Sequence, residues 1–325
     1  MTAIIGNNIE TAKDYLINGE TIAIPTETVY GLAANALDEN AVIKIFTVKN
    51  RPRFNPLIIH IADWKDAVKY AAHIPAKANL LAEKFTPGPL TFLLEKKNTI
   101  PDIITAGSDK VAIRIPNHPL TLQLLSSVNF PLAAPSANPF GYVSPTSAQH
   151  VYENLAGKIP YILDGGESTV GVESTIIGFD ADENVLLYRS GGISAEEIET
   201  VLQEKVLKAK KSPLKNPETS GQLKSHYAPH TPLYIGDIDE LKKQFTGKRI
   251  TTISFTNQYD DIDTGQQFIL SKSGNLAEAA KNLFSALRTI DKLQADIILA
   301  ERFPNEGIGR AINDRLEKAQ AENKL

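Results

Sequence analysis

The sequence predicts a two-domain α/β protein, and three observations lead there. Short apolar strands alternate with helical segments up to about residue 203. A stretch rich in Lys, Pro and Ser, without sustained periodicity, follows over 205–232 and reads as a long linker. Beyond it a smaller unit again alternates strands and helices. The divisions are therefore 1–204, 205–232 and 233–325, and 325 residues suit two domains of ordinary size.

In chain order, 9–17 has helical spacing and stops near Gly19, and 21–24 is a short strand ending in Pro25. Small polar residues follow, then Tyr30, Gly31 and a helix-like segment. Asp38 can cap a helix through Ile45 and Phe46 that ends before Pro52. The β-branched run LIIHI, 57–61, is a strand with Ile58 and His60 on one face and Leu57, Ile59 and Ile61 on the other. Asp63 opens a helix through Tyr70, and Pro75 opens another through Phe85. Strands are expected at 90–95, 111–115, 132–134, 161–163, 174–178 and 185–189. Ser194 and Glu197 form a capping box for a helix before Gln203. In the second unit, strands at 233–235, 250–255, 268–270 and 295–301 and helices at 276–293 and 308–318 suggest a Rossmann-like parallel sheet. That unit has no G-x-G-x-x-G fingerprint.

Composition narrows the chemistry. Hydrophobic residues make up 42% and charged residues 22%, a globular profile. Cysteine is absent, which removes disulfides and thiolate metal sites. The opening MTAIIGNNIE lacks the basic region and apolar core of a signal peptide, and no apolar run nears the roughly 20 residues of a membrane helix, so a cytoplasmic location is expected. A net charge of -4 gives no global attraction to nucleic acid. The phosphate loop G-x-x-x-x-G-K-[ST], H-E-x-x-H and G-x-S-x-G are all missing.

Polar residues cluster instead at the ends of elements. IPTETVYGL places threonines and a glutamate at a strand exit, where open α/β sheets bind ligands. KNRPRFNPL sets Lys49, Arg51 and Arg53 in a loop stiffened by Pro52 and Pro56, so that Arg51 can hold a phosphate bidentately. An isolated basic triple of this kind also fits a solvated turn. Arg114, inside VAIRIP, requires a carboxylate partner, either internal or a ligand's. APSANPFGYVSPTS offers Ser136 and Asn138 to a nucleotide, or is a Pro/Ser loop. GGESTVGVESTI carries three glycines that let backbone approach a ligand closely.

In order, PTETVYGL, the K-x-R of Lys49 and Arg51, NPL, VAIRIP, the S-x-N of Ser136 and Asn138, GVESTI and the linker GQLKSHYAP resemble the threonylcarbamoyl-AMP synthase family in its two-domain form. The resemblance is dense over about 8–230 and holds beyond only by position and class. It implies a YrdC-like twisted open sheet of mixed α/β type around a large positive cavity, with a smaller Rossmann-like domain behind the linker. It implies synthesis of threonylcarbamoyl-adenylate and pyrophosphate from L-threonine, bicarbonate and ATP. Other proteins would then pass the activated group to an adenosine beside the anticodon of tRNAs reading codons that begin with A.

By family match, Lys49 and Arg51 are catalytic. Thr28, His60, Arg114, Ser136 and Ser174 hold threonine, with Arg114 taking its carboxylate. Arg51, Asn55, Lys110 and Ala134 meet ATP, as do Asn138, Ser144 and Arg189. Magnesium comes with ATP, without a dedicated protein cage. His226 or Tyr227 touches the nucleotide when SGQLKSHYAP folds as a lid over the cavity mouth. Two positions depart from the family pattern. Ser220 stands where many relatives have proline, which loosens the linker, and Asn50 stands where glycine is frequent, which puts the loop shape in question. An RNA-binding translation factor, supported by Lys44 and the other local lysines and arginines, and a different carbamoyl or adenylate transferase on the same fold are the rival readings.

Overall fold

The computed structural model of the protein describes residues 2–210, 218–221 and 227–320. Among these, eleven strands join in one mixed sheet: β1 (Ile4–Gly6), β2 (Ile22–Ile24), β3 (Gly31–Asn35), β4 (Ile58–His60), β5 (Leu90–Glu95), β6 (Lys110–Arg114), β7 (Leu132–Ala133), β8 (Tyr161–Leu163), β9 (Thr175–Phe179), β10 (Val185–Arg189) and β11 (Leu207–Lys208). Their spatial order is β1-β8-β2-β3-β7-β4-β6-β5-β9-β10-β11. Helices α1 (Ile9–Ile17), α2 (Glu39–Lys49), α3 (Ala76–Phe85), α4 (Asp102–Thr105), α5 (Pro119–Ser127), α6 (Ala148–Leu155) and α7 (Ala195–Leu202) connect them. The second domain has β12 (Leu233–Ile235), α8 (Ile238–Gln244), β13 (Ile250–Ser254), β14 (Gln267–Ile269), α9 (Leu276–Ile290), β15 (Ile297–Ala300) and α10 (Gly309–Ala319). Its four strands are all parallel in the order β12-β15-β13-β14, the expected Rossmann-like arrangement.

Local chemistry accounts for the boundaries. Asp38 accepts from the backbone of Asn40 and Ala41 to start α2, and Ser194 and Glu197 close the expected capping box on α7. Asn50 ends α2 in the left-handed region at φ 54°, a conformation asparagine tolerates better than most residues, so the turn that glycine would serve is kept.

Three local expectations are corrected. The helix-like segment after Tyr30 is strand β3, antiparallel to β2 with Ile22 opposite Ala33. Its alanines favour helix in isolation, but both faces of GLAAN are covered, and small residues suit a strand buried on two sides. The segment after Asp63 is a 3-10 turn over Trp64–Lys69. Strand β11 lies inside the stretch expected to be linker and pairs in parallel with β10.

Alternation along the strands separates two faces. Ile59, Val111, Ile113, Phe92 and Ile177 point into the main core beneath α2, α3 and α7. Toward the β2 end, the opposite face is covered by Leu16 of α1 and Leu124 of α5. Toward β4, β6, β5 and β9 the same opposite face carries only a small apolar cluster of Ile58, Leu93, Ala112 and Ile176.

The second domain docks through a shared core. Val29, Val143 and Val172 of the first domain and Tyr227 of the linker pack with Leu283, Phe284 and Leu287 of α9. Gly171 of GVESTI lies against the backbone of that helix. A Cβ on it would stand 2.4 Å from the Lys281 Cα and 2.5 Å from the Ala280 carbonyl oxygen, and its φ is +78°. The close approach expected of this glycine is therefore to α9. Gly171→Ala should destabilise the protein by about 2 kcal/mol or more, from overpacking plus the left-handed backbone. Denaturant unfolding measures this, and a midpoint equal to that of the unsubstituted protein would refute the docking geometry.

Candidate functional site

A cavity opens over the sparsely covered face of β4, β6 and β9. Strand alternation puts His60 on this face beside Ile58, and Arg114 beside Ala112. Ser174 precedes β9 on the same side as Ile176. Arg189 reaches it by a different route. A β-bulge between Leu187 and Arg189 shifts the register so that Leu187 opposes Ile177 and Arg189 opposes Ile176, turning the arginine from the core side to the cavity side. Arg51 enters from the loop after α2, and Ser220, Gly221 and Tyr227 of the linker complete the wall.

Each cation is fixed by oxygen. Arg51 donates to the carbonyls of Asn55 (3.2 Å) and Pro56 (3.0 Å), so its loop holds its own guanidinium. Arg114 donates to the Thr28 hydroxyl at 2.9 Å, and its Nη2 lies 2.8 Å from the Glu27 carboxylate. Arg189 donates to the carbonyl and hydroxyl of Ser174 at 3.0 and 3.1 Å and to the Ser220 hydroxyl at 3.3 Å. The serine expected to loosen the linker thus ties it to the site. Lys49 is buried behind the cavity and donates to the carbonyls of Ser136 and, at 2.5 Å, Asn138. Burial, then the Arg51 and Arg288 charges, hold its pKa well below the usual lysine value.

Of the residues named from sequence, Arg51, His60, Arg114 and Ala134 line this cavity, together with Ser136, Ser174, Arg189 and Tyr227. Others stand just behind. Thr28 is fully buried against Arg114 and Thr26. Asn55 is fully buried, and both its amide atoms lack a hydrogen-bond partner among the described residues. Asn138 is buried too and donates to the carbonyls of Pro139 and Tyr142. Ser144 is buried and donates to Glu173 at 2.6 Å. Lys110 faces the linker, with Nζ 3.5 Å from Glu218 and 5.9 Å from the Tyr188 ring centre. His226 lies outside the described residues. The in-strand arginine at 114 has an internal carboxylate partner, Glu27.

The Sua5/YciO/YrdC family model, described as "Telomere recombination", matches residues 14–191, and "Threonylcarbamoyl-AMP synthase, C-terminal domain" matches 193–321. The chain is 43% identical to a threonylcarbamoyl-AMP synthase of Pyrococcus abyssi, over 96% of this chain and 93% of that one. It belongs to the threonylcarbamoyl-AMP synthase family. A Bacillus subtilis threonylcarbamoyl-AMP synthase is 40% identical over 96% of this chain and 92% of its own. The crystal structure of P. abyssi Sua5 complexed with L-threonine superposes with a TM-score of 0.90 at 41% identity, covering 98% of this chain and 97% of that one. The two-domain architecture is thus that of a solved Sua5 structure.

Sequence reasoning missed the part that Glu173 and the arginines of the second domain play at the site. Glu173 borders the cavity, with one carboxylate oxygen accepting from Ser144 and the other from Arg315 of α10 at 2.7 Å. Burial would raise its pKa, but Arg315, Arg189 and the Ser144 bond outweigh burial and hold it to about 2. Arg288 of α9 donates to the carbonyls of Ser144 (3.2 Å) and Val143 (2.5 Å), fixing the loop that continues from Ser136. A carboxylate inside GVESTI signals Glu173 in retrospect. Arg288 and Arg315 sit on surface-like amphipathic helices and give no such signal.

His60 is 2% exposed, and its Nδ1 has no hydrogen-bond partner among the described residues. Burial, aided by Arg114, pushes its pKa down from 6.5 to about 3. The unfolded chain therefore binds the extra proton first. The contribution to stability is full above pH 6.5 and is lost progressively as the pH falls toward 3. His60→Gln should flatten the stability–pH curve in that window by up to about 1.4 kcal/mol per pH unit. Denaturant midpoints from pH 6 to 4 give the slope, and one unchanged by the substitution would mean that His60 titrates normally in the fold.

Proposed function

We propose that the protein makes threonylcarbamoyl-AMP from L-threonine, bicarbonate or carbon dioxide, and ATP, releasing pyrophosphate. The observation that carries this reading is the convergence of Arg51, Arg114 and Arg189 on one cavity that also presents the neutral His60 and the hydroxyls of Ser136 and Ser174. Two anions, a carbamate and a triphosphate, require such a lining. Relatives named threonylcarbamoyl-AMP synthase, and the similar structure of P. abyssi Sua5 complexed with L-threonine, support it.

In the chemistry proposed, the threonine amine adds to carbon dioxide and loses a proton to give a carbamate. A carbamate oxygen then bonds to the α-phosphorus as the bond to the bridging oxygen breaks, and pyrophosphate leaves with the electron pair. That nucleotidyl transfer needs alignment and screening from water, because the carbamate is short-lived. Arg51 and Arg189 face the phosphates. Lys49 holds the Ser136–Asn138 carbonyls in place behind the threonine side. Arg114, oriented by Glu27 and Thr28, faces the threonine carboxylate. The unpartnered amide of Asn55 offers a donor and an acceptor to the nucleotide. Magnesium fits as an ion carried by ATP and water, since the buried carboxylates Glu27 and Glu173 are paired with arginines. Ser220, Gly221 and Tyr227 in the cavity wall favour a linker that opens for exchange. The product serves a threonylcarbamoyl transferase acting on tRNA, in the cytoplasm.

Pyrophosphate release, measured with each amino acid in turn, with and without bicarbonate, tests the assignment. Release that does not depend on threonine removes it. Arg51→Lys should lower turnover by roughly 10- to 1000-fold, since one preorganised donor pair is lost. Turnover close to that of the unsubstituted enzyme would take Arg51 out of the mechanism. Threonine should exceed serine by about 10- to 200-fold in kcat/KM, and valine should fall below serine, because a missing methyl costs less than an unanswered hydroxyl site. Competition among the three substrates checks the order, and valine above serine would remove the hydroxyl-reading role of His60, Ser136 and Ser174.

A further inference from the structure

We infer that the second domain takes part in nucleotide binding, with Arg315 as a positioning residue that acts through Glu173: its charge cancels that of a carboxylate built into the wall of an anion-binding cavity. The inference rests on the adenylation reading above. Glu173 borders the cavity, and its charge reaches both Arg189 and Lys49. An unanswered carboxylate there would oppose a triphosphate.

Arg315 reaches across from α10 and is fully buried. Its Nε donates to Glu173 at 2.7 Å, its Nη2 to the Ser190 carbonyl at 3.0 Å, and its Nη1 to Asp314 at 2.5 Å. Lys318 answers Asp314 at 2.7 Å, so the two acids and two cations cancel. The guanidinium also lies 5.1 Å from the centre of the Tyr227 ring, which joins the linker to the same cluster. Ser174, beside Glu173, is held by Arg189, and the Ser190 carbonyl follows Arg189. One side chain of the second domain thus contacts the segments on both sides of the nucleotide wall.

A purely structural bridge and an electrostatic one predict different signs. Breaking a structural bridge from either end harms the site alike. Under the electrostatic reading, Arg315→Met leaves a buried anion and should weaken Mg-ATP binding about tenfold, the effect of a unit charge some 10 Å away at an effective dielectric near 20. Glu173→Gln leaves an extra cation and should bind Mg-ATP as tightly as the unsubstituted protein or more tightly. The double variant should return to within about threefold of it, and Arg315→Lys should keep its affinity.

Titration calorimetry with Mg-ATP on the full chain reads these constants, after circular dichroism has shown that each variant is folded. Weaker binding in Glu173→Gln, matching that in Arg315→Met, overturns the inference. If Arg315→Met does not fold, the sign of Glu173→Gln alone decides, weaker binding again overturning it. An unsubstituted protein that neither binds Mg-ATP nor releases pyrophosphate with threonine would instead remove the adenylation reading.

Discussion

A guanidinium taken out of water has to be met by oxygen, and that requirement organises this molecule. Arg51, Arg114, Arg189, Arg288 and Arg315 are all buried, and each is met by carbonyls, hydroxyls or a carboxylate, Arg51 from its own loop and the others from segments elsewhere in the chain. Breaking such a pair from one side costs roughly 3–5 kcal/mol, because the remaining charge is stranded. The loops that supply the oxygens are therefore held as firmly as strands. This is how a cavity built largely from loop residues keeps a defined shape without a disulfide.

The same requirement joins the domains. The first domain's sheet leaves one face thinly covered, and the linker and α9 meet its rim through Tyr227, Phe284 and the Arg288 contacts to the 143–144 carbonyls. Asp291, at the C-terminal end of α9, accepts from the Tyr142 hydroxyl and from the backbone of His230 and Thr231, so it fixes the exit of the linker as well. Apolar packing supplies the area of this interface, and the buried arginines set its register.

Much of this was legible in the sequence because the relevant signals are local. Caps at Asp38 and Ser194 and the β-branched run at LIIHI need only near neighbours, and the structure places those elements where the pattern puts them. Most of the residues that the motifs singled out gather at one cavity or directly behind it, whereas Lys110 turns toward the linker, Arg53 is exposed and His226 lies outside the described residues. What could not be read is set at long range. Strand β3 looks helical until both its faces are seen to be covered. Arg189 points into the cavity only because of a bulge, which no periodicity reveals. Gly171 reads as a ligand-facing glycine, yet its neighbour is a helix more than a hundred residues later. Arg114 announces its need for a carboxylate, but not that Glu27, at another strand's exit, meets it.

The pairing of Glu173 with Arg315 also bears on how the chain is made. The two residues are 142 positions apart. A ribosome adding about 5–20 residues per second completes the first domain's sheet roughly 5–20 seconds before it adds the arginine. During that interval Glu173 lacks its ion-pair partner, and the valines that will meet α9 are uncovered. A newly made first domain is thus unable to bury its own wall, and that wall is completed only when one of the last helices arrives.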